Sequence, residues 1–202
     1  VQTCALPISY GDDPCALFMP KTKFADNAMD EKTTRLIAQM HKAITIIQFK
    51  LEGEIIRRRP EFEMDDRMLL HHIDLKRGVV HIDGKDYTLK DTNWPTLDPK
   101  DPYRLSIEEE DLIRKILHSF ESSEKMKKHM RCFFRHGGMY QVCNSNLLFH
   151  ASIPMNPDGT FKSVRILGQD YKGRALLDRV DQLIRTAYFK TGEQEEVEYA
   201  HD

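Results

Sequence analysis

Between residues 30 and 59, apolar side chains recur at steps of three and four, at Leu36, Ile37, Met40, Ile44, Ile47, Leu51 and Ile55, the period of one helix face. Asp30 stands where an N-cap is needed, and Arg57-Arg58-Arg59 followed by Pro60 ends the run. A second stripe of Ile46, Phe49 and Ile56 makes this predicted helix apolar on more than one side, so it should lie between two neighbours. Ser106 and Glu109 form a capping-box pattern ahead of Leu112, Ile113, Ile116, Leu117 and Phe120, which predicts a second helix. Ser122-Ser123 breaks it, and a third helix is expected over Glu124–His136, closed by Gly137. A fourth opens at Gly173 with Ala175, Leu176, Leu177, Val180, Leu183, Ile184 and Ala187 on its apolar face. Met64–Ile73 reads as a short helix carrying His71-His72.

Elsewhere the pattern shortens to strand length. Val79–Ile82 and Asp86–Leu89 flank Asp83-Gly84, a preferred pair for a two-residue hairpin turn, and such a hairpin needs a helix to pack on. Asp91–Leu105 holds three prolines and the only tryptophan and reads as an extended connector. Met139–Ile153 splits at Asn144-Ser145-Asn146 into two short strands, the second ending in Leu147-Leu148-Phe149-His150 before Ala151 and Pro154. Asn156-Pro-Asp-Gly159 is a turn, and a short strand is expected within Phe161–Leu167. Tyr10–Asp30 and Glu193–Asp202 read as loops.

With 202 residues, 40% hydrophobic and 31% charged, the chain suits one ordinary folded domain, and no apolar run approaches the length of a bilayer span. A net charge of -2 gives no general attraction to nucleic acid or to anionic membranes. Cys4, Cys15, Cys132 and Cys143 contain no CxxC pair, so neither a zinc ribbon nor a disulfide framework is suggested, and a reducing cytoplasm is the expected location. Val1–Ile8 is what a common sequencing-adapter oligonucleotide encodes, so residues 1–9 are set aside as an expected artefact and the chain is read as an internal piece of a longer protein.

Candidate chemistry is sparse. His150 stands at a strand end, where a rigid sheet can hand an imidazole to a metal ion, and a buried core histidine is the alternative. Asp12-Asp13 before Pro14 reads as a turn rather than a ligand pair. Arg57-Arg58-Arg59 suits the negative end of a helix dipole better than a phosphate. His129, Cys132 and His136 share a helix face but lack the spacing that supports a zinc site. Lys172 and Arg174 at a helix start carry the wrong sign for the dipole, a mild sign of a nearby anion, with ordinary solvated charges the favoured reading.

Four stretches carry a resemblance: Met40–Pro60, Asn93–Pro99, Asn146–Pro154 and Gly173–Asp178 are similar to the bacterial class III fructose-1,6-bisphosphatases. The resemblance implies an α/β (α+β) fragment in which residues 10–136 form a mainly helical insertion with a small hairpin and residues 137–202 form part of a calcineurin-like metallophosphatase β-sandwich core. It implies a manganese-dependent hydrolysis of fructose 1,6-bisphosphate to fructose 6-phosphate and phosphate, a step of gluconeogenesis, with AMP and phosphoenolpyruvate as effectors. Of the metal site only His150 carries over, because the Asp-x-His, Gly-Asp-x-x-Asp, Gly-Asn-His-Asp and late Gly-His blocks are absent from this chain. The 202 residues alone are therefore expected to be inactive. A non-catalytic helical interaction module, or another calcineurin-like phosphatase, is the competing reading.

Overall fold

Asp30 starts the longest element as its position suggests: its carboxylate accepts the Thr33 backbone N–H at 2.9 Å, capping helix α1, Glu31–Arg58. The structure is a computed structural model that describes residues 10–20, 30–149, 152–189 and 194–202, without the side chains of Glu195 and Glu196. It divides between Ser122 and Ser123 into two units.

In the first unit α1 is followed by an antiparallel sheet of β1 (Ile73–Asp74), β2 (Val79–Ile82) and β3 (Lys85–Thr88) in that order. Asp83 and Gly84 have φ of 49° and 74°, the two left-handed residues that a tight hairpin turn requires. Helix α2, Ile107–Ser122, begins with the expected reciprocal cap: Ser106 N–H donates to Glu109 Oε2 at 2.7 Å, and Glu109 N–H donates to Ser106 Oγ at 3.3 Å. The core gathers Tyr10, Cys15, Ala38, Ala43, Ile46, Ile47 and Leu112, so α1 lies between the 10–20 segment and α2.

The buried face of α1 differs from the predicted one. Ala38, Gln39, Lys42, Ala43, Ile46, Ile47, Lys50, Gly53 and Ile56 are buried, whereas Leu36, Ile44 and Phe49 are exposed. The small residues let other chain segments come close. At Gly53 a Cβ would overlap the ring of Tyr103, which is itself 1% exposed.

Met64–Ile73 is not an α-helix but two short 3-10 turns, Asp65–Arg67 and Leu70–His72. The reason is tertiary: the Leu70 N–H, which an α-helix would bond within its own backbone, donates instead to Tyr103 Oη at 3.1 Å. The β2–β3 hairpin is supported by β1 and by the Leu70–His72 turn, where a helix had been expected.

The second unit opens with α3, Glu124–His136, capped by Ser123 Oγ accepting the Met126 N–H at 3.2 Å. Gly137 closes it in an extended conformation, φ -82° and ψ 175°, not the left-handed one that usually favours glycine there. Strands β4 (Tyr140–Cys143) and β5 (Asn146–Phe149) pair as expected, with Asn144 and Ser145 at φ 49° and 63° in the turn. Next come β6 (Val164–Ile166) and β7 (Gln169–Tyr171), then α4 (Gly173–Phe189) and α5 (Gln194–His201). Strand β7 and helix α5 were not expected. Gln169-Asp170-Tyr171 shows no apolar alternation and is placed by its pairing to β6. The acidic tail becomes helical against α4, burying Tyr199 to 8% exposure, because tertiary packing supplies what its composition lacks.

Every strand pair among the described residues is antiparallel, so the α/β expectation resolves to α+β. No helix among the described residues is long and apolar enough to cross a membrane.

Candidate functional site

The hairpin leading to His150 is held at its open end. Tyr140 and Phe149 face each other in the register, and the Tyr140 hydroxyl donates to Asp178 of α4 at 2.9 Å. Arg174 lies over the Tyr140 ring, 5.8 Å from its centroid, and its Nε sits 3.4 Å from Asp178. Arg174 at the start of α4 therefore has a carboxylate one turn along. Arg185 fixes the junction before the hairpin: its guanidinium donates to the carbonyls of Phe134 and, at 2.7 Å, Gly137, while Asp181 pairs with it at 2.6 Å. Those carbonyls belong to the end of α3, where a helix leaves acceptors unsatisfied and favours a cation. Phe134 adds a ring contact to Tyr188 at 4.2 Å between centroids.

His150 and Ala151 lie outside the described residues, so the expected metal ligand has no described geometry. Up to Phe149 the strand is as the sequence suggests, and its Leu147, Leu148 and Phe149 are exposed. Beside it, a cleft of about 580 Å³ opens between the end of α3 and the hairpin, lined by Phe133, His136, Tyr140, Gln141 and Phe149 with the Gly137-Gly138 backbone.

Among the described residues no three His, Cys, Asp or Glu side chains gather where a metal ion could be held, and His129, Cys132 and His136 are exposed along α3. Arg57 is occupied by Glu54 at 2.9 Å and Asp101 at 3.0 Å and stacks over Tyr103, its Cζ 4.6 Å from the centroid. His71 accepts or donates at 2.9 Å to the Tyr103 hydroxyl, and burial, then the neighbouring His72 and Arg57, push its pKa down.

Sequence reasoning missed the first unit's charged interior. Lys42 is fully buried and donates to Asp13 at 2.8 Å and Asp91 at 3.0 Å, while Asn93 donates to the same Asp13 oxygen at 2.6 Å. Lys50, equally buried, donates to Glu109 Oε2 at 2.7 Å and to the Thr96 carbonyl at 2.6 Å. Asp13 is thus more than the turn residue expected. The available signal was spacing: Gln39, Lys42, Ile46, Lys50 and Gly53 follow one another at helical steps beside Ala38 and Ala43.

The network carries a pH dependence. Burial pushes the Asp13 carboxyl up, but hydrogen bonds from Lys42, the Cys15 N–H and Asn93 outweigh it and hold the pKa at about 2, below the ordinary 3.8. A depressed folded pKa means stability that is present above about pH 4 and lost as the pH falls through about 2. Asp13→Asn should therefore lower the melting temperature at pH 6 and flatten its decline between pH 4 and 2, as followed by circular dichroism. Burial likewise pushes the Cys15 thiol up to about 11, which makes it an inert core group.

A profile of the Firmicute fructose-1,6-bisphosphatase family matches residues 4–202. The class 3 fructose-1,6-bisphosphatase of Bacteroides fragilis is 63% identical over 194 residues, 96% of this chain and 29% of that protein. That of Alkaliphilus metalliredigens is 54% identical over 183 residues, 90% of this chain and 27% of the relative. That of Clostridioides difficile is 50% identical over 193 residues, 96% and 29% respectively. No solved structure matches the chain. The chain spans less than a third of the length of these relatives. Since the family profile runs through nearly all of its residues, the hairpin before His150 included, the chain belongs to the Firmicute fructose-1,6-bisphosphatase family.

Proposed function

We propose that this chain is part of a cytoplasmic, manganese-dependent enzyme of gluconeogenesis that hydrolyses fructose 1,6-bisphosphate to fructose 6-phosphate and phosphate. The observation that carries the reading is 63% identity, over 96% of the chain, to a protein named class 3 fructose-1,6-bisphosphatase.

His150 is the residue of this chain proposed to hold manganese. The described residues contain no ligand set that would complete such a site, so no reaction step is derived from them. When bound, a pair of divalent ions would activate the attacking water and neutralise charge on the phosphoryl oxygens. What supports the reading among the described residues is the anchoring of the hairpin that precedes His150 in the chain, by Arg185 at its start and by the Tyr140 to Asp178 bond at its open end. The β4–β5 hairpin is proposed to be a pair of core strands in a calcineurin-like sandwich, with residues 10–136 as its helical insertion. In support, Val142, Leu147, Leu148 and Phe149 are left exposed in the hairpin, as strands belonging to a larger sheet would be. AMP and phosphoenolpyruvate are carried as proposed effectors of the intact enzyme, with no residue here assigned to them.

The intact protein, purified with manganese, should release phosphate from fructose 1,6-bisphosphate, and the 202-residue piece alone should release none. An intact protein that folds, holds manganese and leaves the bisphosphate untouched would overturn the reading in favour of a helical interaction module.

A further inference from the structure

We propose that His71 and Tyr103 form a proton-sensitive clasp, which holds the Leu70–His72 turn and the sheet packed on it in place near neutral pH and releases them when the His71 imidazole takes up a proton. The Tyr103 ring is 1% exposed and fills the space beside Gly53 of α1. With Leu70 and Leu97 it forms the small core on which Met68, Ile73 and Leu75 pack, and strand β2 lies against the turn itself.

The Tyr103 hydroxyl oxygen accepts the Leu70 N–H at 3.1 Å, and the His71 backbone also hydrogen-bonds to it. Two donors occupy both lone pairs, so the single hydroxyl proton goes to Nδ1 of His71, 2.9 Å away. That arrangement requires a neutral imidazole with its own proton on Nε2. A protonated ring carries N–H at both nitrogens, so Nδ1 can no longer accept and the Tyr103 proton loses its partner inside the core. A buried donor left without an acceptor bears its full desolvation penalty. The imidazole itself is exposed, so the sensing group meets solvent while the group it controls does not.

The surroundings resist the charge. Burial, then His72, whose ring centroid lies 3.9 Å away, and Arg57, which lies over the Tyr103 ring, hold the His71 pKa below the ordinary 6.5. Carboxylates of the elements around the turn are engaged by other groups: Glu54 and Asp101 by Arg57, Glu52 by Arg67, Asp74 by the Lys76 and Arg77 N–H groups, and Asp86 by Arg77 and His81. The released turn therefore binds more protons than the docked one, and docking weakens as the pH falls through about 6.5.

Hydrogen–deuterium exchange of the intact protein at about pH 7.5 and 5.5, corrected for intrinsic exchange rates, tests the clasp. Amides of residues 68–82 should open about tenfold more at the lower pH, the change that one proton taken up near pH 6.5 allows, with amides 38–47 of α1 as the internal reference. His71→Gln keeps an acceptor oxygen for Tyr103 but does not titrate, so its step should shrink to within about twofold, whereas His72→Gln should keep the full step. Tyr103→Phe deprives the Leu70 N–H of its acceptor and should open the same amides at both pH values, without a step. If Tyr103→Phe fails to fold, the two glutamine variants, both at exposed positions, carry the test. A wild type without the step, a step that survives in His71→Gln, or one abolished by His72→Gln would overturn the proposal.

Discussion

His150→Ala in the intact protein should lose turnover by at least about a hundredfold while keeping its circular dichroism if His150 is the manganese ligand proposed above, because a two-ion site that lacks one of its ligands would hold that ion weakly and misplace the water it activates. The strand before it is already specified by local rules: Asn144 and Ser145 take the left-handed turn, and Tyr140 faces Phe149 in register. Removal of one imidazole beyond that strand should therefore leave the hairpin standing. Phosphate release under saturating fructose 1,6-bisphosphate, with manganese counted by elemental analysis of the dialysed protein, reads the effect directly. His118→Ala, at an exposed position of α2, is the control and should retain full activity. Wild-type turnover and full manganese content in His150→Ala would show that this block is not a ligand block.

The second large effect is on stability. Lys50→Met leaves the Glu109 carboxylate, 1% exposed, without its countercharge, and breaking one side of a buried pair costs about 3–5 kcal/mol. The loss spreads beyond the pair. The same Glu109 oxygen accepts the Ser106 N–H that starts α2, and Lys50 also holds the Thr96 carbonyl of the connector. Lys50→Met combined with Glu109→Gln should recover most of the loss, since the amide oxygen can still accept from Ser106 and no charge stays buried. Urea unfolding of the wild type, both single variants and the double variant closes the cycle. Strict additivity would mean that the two side chains do not depend on each other as their 2.7 Å contact implies.

The family resemblance was legible because it rests on residue identity along the chain, and the profile match over residues 4–202 bears it out. The metal assignment remains a proposal at His150, which lies outside the described residues, and the other ligand blocks that the resemblance implies are absent from these 202 residues. The cleft between the end of α3 and the hairpin was not legible at all. His136 was considered in the sequence only with His129 and Cys132 on its own helix face, whereas in the fold it lines a cleft with Gln141 and Phe149 from two strands.

By itself the sequence determined the elements whose cause is local: the Asp30 and Ser123 caps, the Ser106 and Glu109 box, and the turns at Asp83-Gly84 and Asn144-Ser145. Each depends on groups a few positions apart, so a short window contains both partners. Only the tertiary structure decided that Lys42 and Lys50 are interior, that residues 64–73 turn rather than coil into an α-helix, and that the acidic tail is helical. Lys42 meets Asp13 and Asp91 across 29 and 49 positions of chain, Lys50 meets Glu109 across 59, and Leu70 meets Tyr103 across 33. A lysine is stable in the core when folding brings carboxylates to it, and no local period encodes where a distant carboxylate will arrive.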